Sequence, residues 1–173
     1  MKVGIPRERV DGEARVATTP EIAKKLVAGG LTLLVEHGAG ERAHFADAEY
    51  EQAGAQLTDA AGALACDIVA KVRKPLDDEV AAMREGAIFV GHAETCDQDP
   101  AVRAMQRKNI KVMAMERIPR ISRAHSMDAL SSQSNIAGYR AVIEAANHLG
   151  RFIPLMMTSA GSAKPARVIV LGA

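Results

Sequence analysis

The segment from Arg117 to Ser132 has the side chains best suited to binding a polar ligand. It carries three arginines, His125, Asp128 and several hydroxyl groups. A guanidinium group can hold a carboxylate or phosphate through two parallel hydrogen bonds, and a carboxylate can orient a carboxamide or a ribose hydroxyl. Asp128 and Ser131 are three residues apart, so they share one face of a helix. Residue types alone favour a hydrophilic interdomain loop, and a ligand-binding loop is the alternative.

A second group of polar side chains consists of His92, Glu94 and Cys96, which alternate along the chain. On a strand they would share one face, and the ligands of a metal ion must converge in this way. The sequence has no second cluster that would complete a coordination shell. We therefore predict an ordinary loop at a strand end and no metal site.

Two further charged groups lie at or just beyond the end of the predicted strand Asp67–Val72. Lys71, Arg73 and Lys74 could face an anion or lie in solvent, and the sequence leaves both alternatives open. The acidic run Asp77–Glu79 favours a helix N-terminus over a catalytic carboxylate pair, because carboxylates are stabilised at that end of a helix.

Short apolar runs alternate with longer amphipathic runs, which is typical of βαβ units in a mostly parallel sheet. The predicted strands are Lys2–Ile5, Leu31–Glu36, Asp67–Val72, Ala87–Val90, Lys111–Ala114 and Arg167–Leu171. The predicted helices are Pro20–Ala28, Asp47–Ala53, Asp59–Cys66, Asp77–Arg84 and Pro100–Lys108. Thr19 is the expected N-cap of the first helix, because proline follows it at the first helical position.

The longest periodic segment runs from Met127 to Leu149 and stops at Gly150. Ser126 is the expected N-cap, with Asp128 in the first turn. A helix of this length would extend about 35 Å, enough to connect two lobes.

The segment after this helix is predicted to contain a loop, Met157–Lys164, and then the apolar run that ends at Gly172. In a dinucleotide-binding fold, such a strand continues into a glycine-rich loop that binds the pyrophosphate; any α/β strand end is the alternative. We expect a Rossmann-like lobe over 1–126, an interdomain helix over 127–149, and the start of a truncated dinucleotide-binding lobe over 150–173.

Composition excludes several classes of protein. The 173 residues carry 22 basic and 21 acidic side chains, so the charge gives no reason to expect nucleic acid or an anionic membrane as a partner. The two cysteines do not have the spacing of a disulfide framework, which favours a reducing compartment such as the cytosol. The N-terminus does not read as a signal peptide, and no apolar run approaches the roughly 20 residues that span a bilayer.

Six segments distributed over the whole chain carry a resemblance to a known family. They are Gly4–Glu8, Glu13–Val16, Glu36–Gly40, Pro119–Ser132, Asn135–Arg140 and Arg151–Pro154. Together they resemble the NAD(H)-binding component, the alpha subunit, of proton-translocating NAD(P)+ transhydrogenase. The resemblance implies a homodimer of two-lobed protomers that binds NAD(H) between Rossmann-like lobes. It also implies two partners, a proton-translocating membrane domain and an NADP(H)-binding domain, and a cytoplasmic location peripheral to the inner membrane.

The resemblance also implies roles for individual residues. Arg120, Asp128 and Ser131 match the family's loop on the nicotinamide side of NAD(H). The other residues expected to bind the cofactor are Ile121, Ser122, His125, Ser126, Met127 and Gly172. His125 stands where the family has a glutamine. The resemblance implies no acid or base among these residues, because the cofactor supplies the hydride and the protein positions it.

Two alternatives belong to other functional classes. Alanine dehydrogenase shares the N-terminal lobe and the context of Arg15, but Arg73 stands where that family has a substrate-binding lysine, and Glu94 stands where it has a histidine. The second alternative is a non-catalytic fragment, since the sequence is expected to be an incomplete piece of a longer protein. The residue matches favour the transhydrogenase.

Overall fold

The computed structural model describes residues 1–94 and 99–172, and it divides the chain into two compact units. The first unit, Met1–Met127, is built on a parallel sheet. The second unit, Asp128–Ala173, consists of a long helix followed by a short hairpin.

The first unit alternates strands with helices along the chain. Its strands are β1 (Lys2–Ile5), β2 (Thr32–Glu36), β3 (Gln56–Thr58), β4 (Ile68–Ala70), β5 (Ile88–Gly91) and β6 (Lys111–Ala114). Its helices are α1 (Pro20–Ala28), α2 (Asp47–Gln52), α3 (Ala60–Leu64), α4 (Asp77–Ala82) and α5 (Pro100–Arg107). The predicted elements of this unit are confirmed to within a few residues. Strand β3 was missed because its three residues include only one large apolar side chain, Leu57, and so form no apolar run such as the one in β4.

The six strands lie in the order β3-β2-β1-β4-β5-β6, and every pair is parallel. The chain builds outward from β1 to β3, returns to the centre, and builds outward again from β4 to β6. This is the strand order of a doubly wound, Rossmann-like sheet, with its switch point between β1 and β4. The predicted fold class of the first unit is therefore confirmed.

The core of this unit has two hydrophobic clusters, one on each half of the sheet. Ile5, Leu33 and Tyr50 belong to the cluster around β1 and β2. Phe89 and Met105 belong to the cluster around β4 and β5. The strand residues Ile5, Leu33 and Phe89 are buried because helices cover both faces of a parallel sheet, and Tyr50 and Met105 are buried helix residues that pack on it.

Helix α1 shows why the local sequence predictions succeeded. The hydroxyl of Thr19 accepts a hydrogen bond from the amide of Ile22 at 3.4 Å, and Pro20 occupies the first helical position. The cap satisfies an amide that has no partner within the helix. The predicted N-cap and both ends of this helix are confirmed.

The second unit differs from its prediction at three places: the N-cap of its helix, a hairpin in the predicted loop, and the run Arg167–Leu171. Helix α6 spans Ala129–His148, and its N-cap is Asp128, so the prediction of Ser126 as N-cap was wrong. Asp128 is the cap because its carboxylate accepts a hydrogen bond from the amide of Ser131, the third residue of the helix. Ser126 is still part of the preceding 3-10 turn. The segment predicted as a loop contains a hairpin of two strands, β7 (Met156–Thr158) and β8 (Gly161–Ala163).

The prediction of a strand over Arg167–Leu171 was also wrong. These residues are described but form no ladder, and Val168 to Leu171 are 65–90% exposed. A parallel strand exists only when a neighbouring strand takes up its hydrogen bonds. Apolar sequence alone cannot supply that neighbour. The assignments of 127–149 as an interdomain helix and of 150–173 as the start of a second lobe stay predictions.

Among the described residues, the structure contains no helix with the length and apolar character needed to cross a membrane.

The close packing of α3 on β1 leaves no room for a side chain at position 4. A Cβ atom built on Gly4 would lie 1.8 Å from the carbonyl oxygen of Ala63, which is backbone and cannot move aside. We predict that Gly4→Ala destabilises the first unit by about 3 kcal/mol, measured by urea denaturation. Gly138→Ala is the control, because nothing lies within 4 Å of its added Cβ, and it should leave stability unchanged or slightly raised. Equal stability of wild type and Gly4→Ala would contradict this packing.

The exposed apolar run at Val168–Leu171 predicts self-association of the 173-residue chain. Its side chains are largely exposed, and its backbone groups take part in no strand ladder among the described residues. Deleting residues 166–173 should therefore shift the chain towards the monomer. Analytical size exclusion over a concentration series tests this, and identical elution of the two forms would show that the run does not drive association.

Candidate functional site

The segment Arg117–Ser132, called the arginine-rich segment below, lies in the first unit as far as Met127, and short 3-10 turns hold that part. Met115–Arg117 and Ser122–Met127 are 3-10 helices. Between and within them, the amide of Ile121 donates to the carbonyl of Pro119, and the amide of Ala124 donates to the carbonyl of Ile121, both at 2.9 Å. The side chain of Ala124 is buried and anchors the segment.

The 3-10 geometry decides which side chains are presented together. With three residues per turn, side chains three positions apart eclipse one another. Ser122 and His125 therefore lie on one face of the turn, and Arg123 and Ser126 lie on the next. All four residues are exposed to solvent.

The first residues of the second unit form a tight helix cap. Asp128 is 8% exposed, and its Oδ1 accepts from the amide of Ser131 at 3.0 Å. Its Oδ2 accepts from the Ser131 hydroxyl at 2.5 Å, and its carbonyl accepts from the Ser132 hydroxyl at 3.1 Å. The structure thus brings Asp128 and Ser131 together, and it assigns the carboxylate to capping α6.

The remaining predicted cofactor-binding residues share one property, which is exposure to solvent. They are Arg120, Ile121, Ser122, His125, Ser126, Met127, Ser131 and Gly172. Gly172 has a φ of 80°, the left-handed conformation that a tight glycine turn requires. Their roles towards a cofactor stay predictions.

Two members of the alternating group at the end of β5, His92 and Glu94, lie against different side chains. His92 Nδ1 lies 3.7 Å from Glu116 Oε2, whereas Glu94 Oε2 lies 3.6 Å from Lys74 Nζ. Cys96 lies outside the described residues. Within residues 1–94 and 99–172, no three side chains of the metal-binding types come together.

A buried ion pair at the carboxyl end of β4 was not predicted. The Nζ of Lys71 lies 2.7 Å and 2.8 Å from the two carboxylate oxygens of Glu79, and both side chains are at most 2% exposed. Glu79 sits in the first turn of α4, and its Oε2 also accepts from the amide of Leu76 at 2.8 Å. The predicted helix N-terminus at Asp77–Glu79 is confirmed, and one of its carboxylates also neutralises a strand-end lysine.

A second buried carboxylate joins this pair from the chain after β1. Glu8 Oε1 accepts from the amide of Val72 at 2.6 Å, and Oε2 lies 3.4 Å from the amide of Arg73 and 3.8 Å from Lys71 Nζ. Burial raises the pKa of the Glu8 carboxyl, while the charge of Lys71 and the two amide hydrogen bonds oppose the rise. Glu8 therefore ties the ends of β1 and β4 together.

The more exposed charges along this edge are also paired within the chain. Arg15 donates two hydrogen bonds of 2.7 Å to the carboxylate of Glu13, and these hold the pKa of Glu13 below its usual value. Lys74 Nζ lies 2.5 Å from Asp99 Oδ2, and this hydrogen bond lowers the pKa of Asp99. Of the three cations predicted to face an anion or solvent, Lys71 and Lys74 are neutralised by the protein, and Arg73 is half-buried.

One signal in the sequence could have revealed the buried pair. Lys71 directly follows the apolar run Ile68–Ala70, so it stands at the end of a strand that is covered on both faces. A lysine in that place needs a buried counter-charge. The sequence does not say which of the nearby carboxylates supplies it, because that depends on the direction from which α4 returns to the sheet.

The comparison with protein families covers most of the chain. Residues 4–137 match the model of the alanine dehydrogenase/PNT N-terminal domain. The chain belongs to this family. The matched range contains the parallel sheet, apart from the first two residues of β1, and the arginine-rich segment.

The individual relatives show how similar the chain is to each of the two kinds of protein, transhydrogenase and alanine dehydrogenase. The chain is 49% identical over 179 residues to an NAD(P) transhydrogenase alpha subunit of Rhodospirillum rubrum, covering 99% of this chain and 47% of that protein. It is 33% identical over 139 residues to alanine dehydrogenase 2 of Staphylococcus aureus, covering 80% and 37%. A transhydrogenase structure from Sinorhizobium meliloti superposes with a TM-score of 0.92 at 43% identity, covering 96% of this chain and 50% of that one.

These matches confirm the resemblance to the transhydrogenase alpha subunit, and alanine dehydrogenase is the more distant relative. The chain spans about half the length of these transhydrogenase relatives.

The buried ion pair makes a direct prediction for stability. Lys71→Met removes the charge that balances Glu79, so it should cost about 3–5 kcal/mol in the free energy of unfolding. Lys25→Met is the matched control, because Lys25 pairs with Glu21 four residues away at the exposed surface of α1. Urea denaturation should show a large loss for the first variant and no measurable change for the second. A loss of equal size in both would mean that burial of Lys71 carries no special weight.

Proposed function

We propose that the chain is the N-terminal portion of the NAD(H)-binding component of a transhydrogenase. In the complete enzyme, a hydride passes between NADH and NADP+, and the transfer is coupled to proton translocation across the membrane. The 49% identity to a transhydrogenase alpha subunit over 99% of this chain carries the proposal. The resemblance of Pro119–Ser132 to the family's nicotinamide-side loop supports it.

The donors presented by the arginine-rich segment fit the nicotinamide end of NAD(H). A guanidinium and hydroxyl groups can bind a carboxamide oxygen and ribose hydroxyls, and the exposed Arg120, Ser122 and Ser126 offer both types. The cofactor supplies the hydride, so these residues bind and orient it and need no acid or base. His125 can donate or accept through its exposed ring, in place of the family's glutamine amide.

Asp128 has a different role in this proposal from the one expected from its sequence. Its two carboxylate oxygens bind the amide and hydroxyl of Ser131. A capped helix start fixes the backbone of the residues next to it. We therefore assign Asp128 to positioning the segment, together with Ser131.

The proposal includes the partners of the complete enzyme. They are a second copy of the subunit, a membrane domain that translocates protons, and a domain that binds NADP(H). The subunit would then lie on the cytoplasmic side and reach the inner membrane through these partners.

An alanine dehydrogenase-like activity is the alternative. Arg73 and Glu94 in place of that family's lysine and histidine count against it, and incubation of the complete protein with alanine and NAD+ would detect it.

The arginine-rich segment is tested by single-turnover hydride transfer in the complete component with its NADP(H)-binding partner. Arg120→Ala should lower the rate by about 10–100-fold, about 1.4–2.7 kcal/mol, with a smaller change in NADH affinity, because it removes orientation more than binding. Arg107→Ala, which removes an exposed arginine from α5, should transfer at the wild-type rate. His125→Gln should be equal to wild type or faster.

Two substitutions at Asp128 separate capping from charge. Asn is as good an N-cap as Asp, so Asp128→Asn should keep most of the transfer rate, whereas Asp128→Ala removes the cap and should lose it. Equal losses would mean that the negative charge matters in its own right. Wild-type rates for both Arg120→Ala and Asp128→Ala would show that the segment is only a linker.

A further inference from the structure

The switch point of the first unit is occupied by a side chain of the protein. Strands β1 and β4 are neighbours in the sheet, and the chain leaves them in opposite directions. Ligands of open parallel sheets bind in the crevice outside the carboxyl ends of such a strand pair. In this chain Glu8 enters the crevice from the end of β1 and contacts the end of β4.

The contacts of Glu8 are those of a bound anion. Two consecutive backbone amides, from Val72 and Arg73, donate to its two carboxylate oxygens at 2.6 Å and 3.4 Å. The ammonium of Lys71 is 3.8 Å away, and the Glu8 side chain is 3% exposed. Successive amides beside a cation make a concave anion-binding site.

The need to neutralise the charge of Lys71 does not explain why Glu8 is buried beside it. Lys71 already has both oxygens of Glu79 within 2.8 Å, so Glu8 adds a second buried carboxylate to one ammonium. Burial and the charge of Glu79 raise the pKa of Glu8, whereas Lys71 and the amides of Val72 and Arg73 lower it, so the ionised carboxylate depends on those contacts. What Glu8 does supply is an acceptor for two amides that lie beyond the last paired residue of β4.

We propose that Glu8 is a built-in anion ligand: its carboxylate fills a main-chain anion site at the switch point and keeps small external oxyanions, such as carboxylates and phosphates, from binding there. The segment after β1 reads Pro6-Arg7-Glu8, with no glycine to bring the backbone close to a phosphate. This edge of the sheet is therefore closed to nucleotide phosphates. The inference concerns the first unit alone and holds whether or not the arginine-rich segment binds NAD(H).

The test is anion rescue in the 173-residue chain. Glu8→Ala should create an empty site for formate, and the melting midpoint of this variant should rise saturably with sodium formate beyond its rise with sodium chloride at matched ionic strength. The wild type should respond equally to the two salts. Glu49→Ala is the matched control. It also removes a carboxylate that accepts a backbone amide, that of Ala46 at 2.7 Å, but at an exposed helix start, and it should respond as the wild type does.

Amide resonances locate the bound anion. Formate and inorganic phosphate should shift the signals of Val72 and Arg73 in Glu8→Ala and leave them unchanged in the wild type. Glu8→Gln should also show no shift, because it keeps a side-chain acceptor in the site. Equal shifts in wild type and Glu8→Ala, or none in either, would overturn the proposal.

A second measurement applies if Glu8→Ala is unfolded in low salt. Recovery of its folded circular dichroism spectrum in formate and not in chloride would support an anion site. Failure to recover in either salt would overturn it.

Discussion

The ion pair between Lys71 and Glu79 is the contact on which the carboxyl end of the sheet depends. It joins the end of β4 to the first turn of α4, and both partners are almost completely buried. Removing one partner would leave a buried charge without compensation, which is why such a pair constrains the structure more than an exposed one does. Glu8 extends the constraint to β1, so the two central strands and one helix meet at a single group of charges.

This arrangement has a consequence for where a ligand can bind. The sheet has the strand order of nucleotide-binding proteins, yet the charges at its switch point are satisfied by one another. The arginine-rich segment after β6 is different, because Arg120, Arg123 and His125 are exposed. A fold of this type can host many functions, and the site decides among them. The exposed segment and the family resemblance therefore carry the proposed function, and the strand order does not.

The sequence predicted the parts that depend on local patterns. Helix α1 was predicted to the residue because Thr19 and Pro20 at its start, and Gly29 and Gly30 directly after its end, are all local signals. The run Val168–Leu171 shows the limit of such patterns, since a parallel strand needs a partner that the run itself cannot provide. The charge group at Lys71 was missed for a related reason. Its members come from residues 8, 71 and 79, and only the folded sheet brings them together. In the candidate site, the polar residues were recognised from their types, but the capping role of Asp128 required its geometry.

Hydrogen exchange of the complete NAD(H)-binding component, with and without NADH, tests most directly whether the nucleotide meets the first unit at the arginine-rich segment. We expect slower exchange on NADH binding in peptides that cover residues 118–132. We expect no change in peptides that cover residues 68–74, where the amides of Val72 and Arg73 are already bound by Glu8. Protection centred on residues 68–74, with none over residues 118–132, would contradict a nucleotide site at the arginine-rich segment.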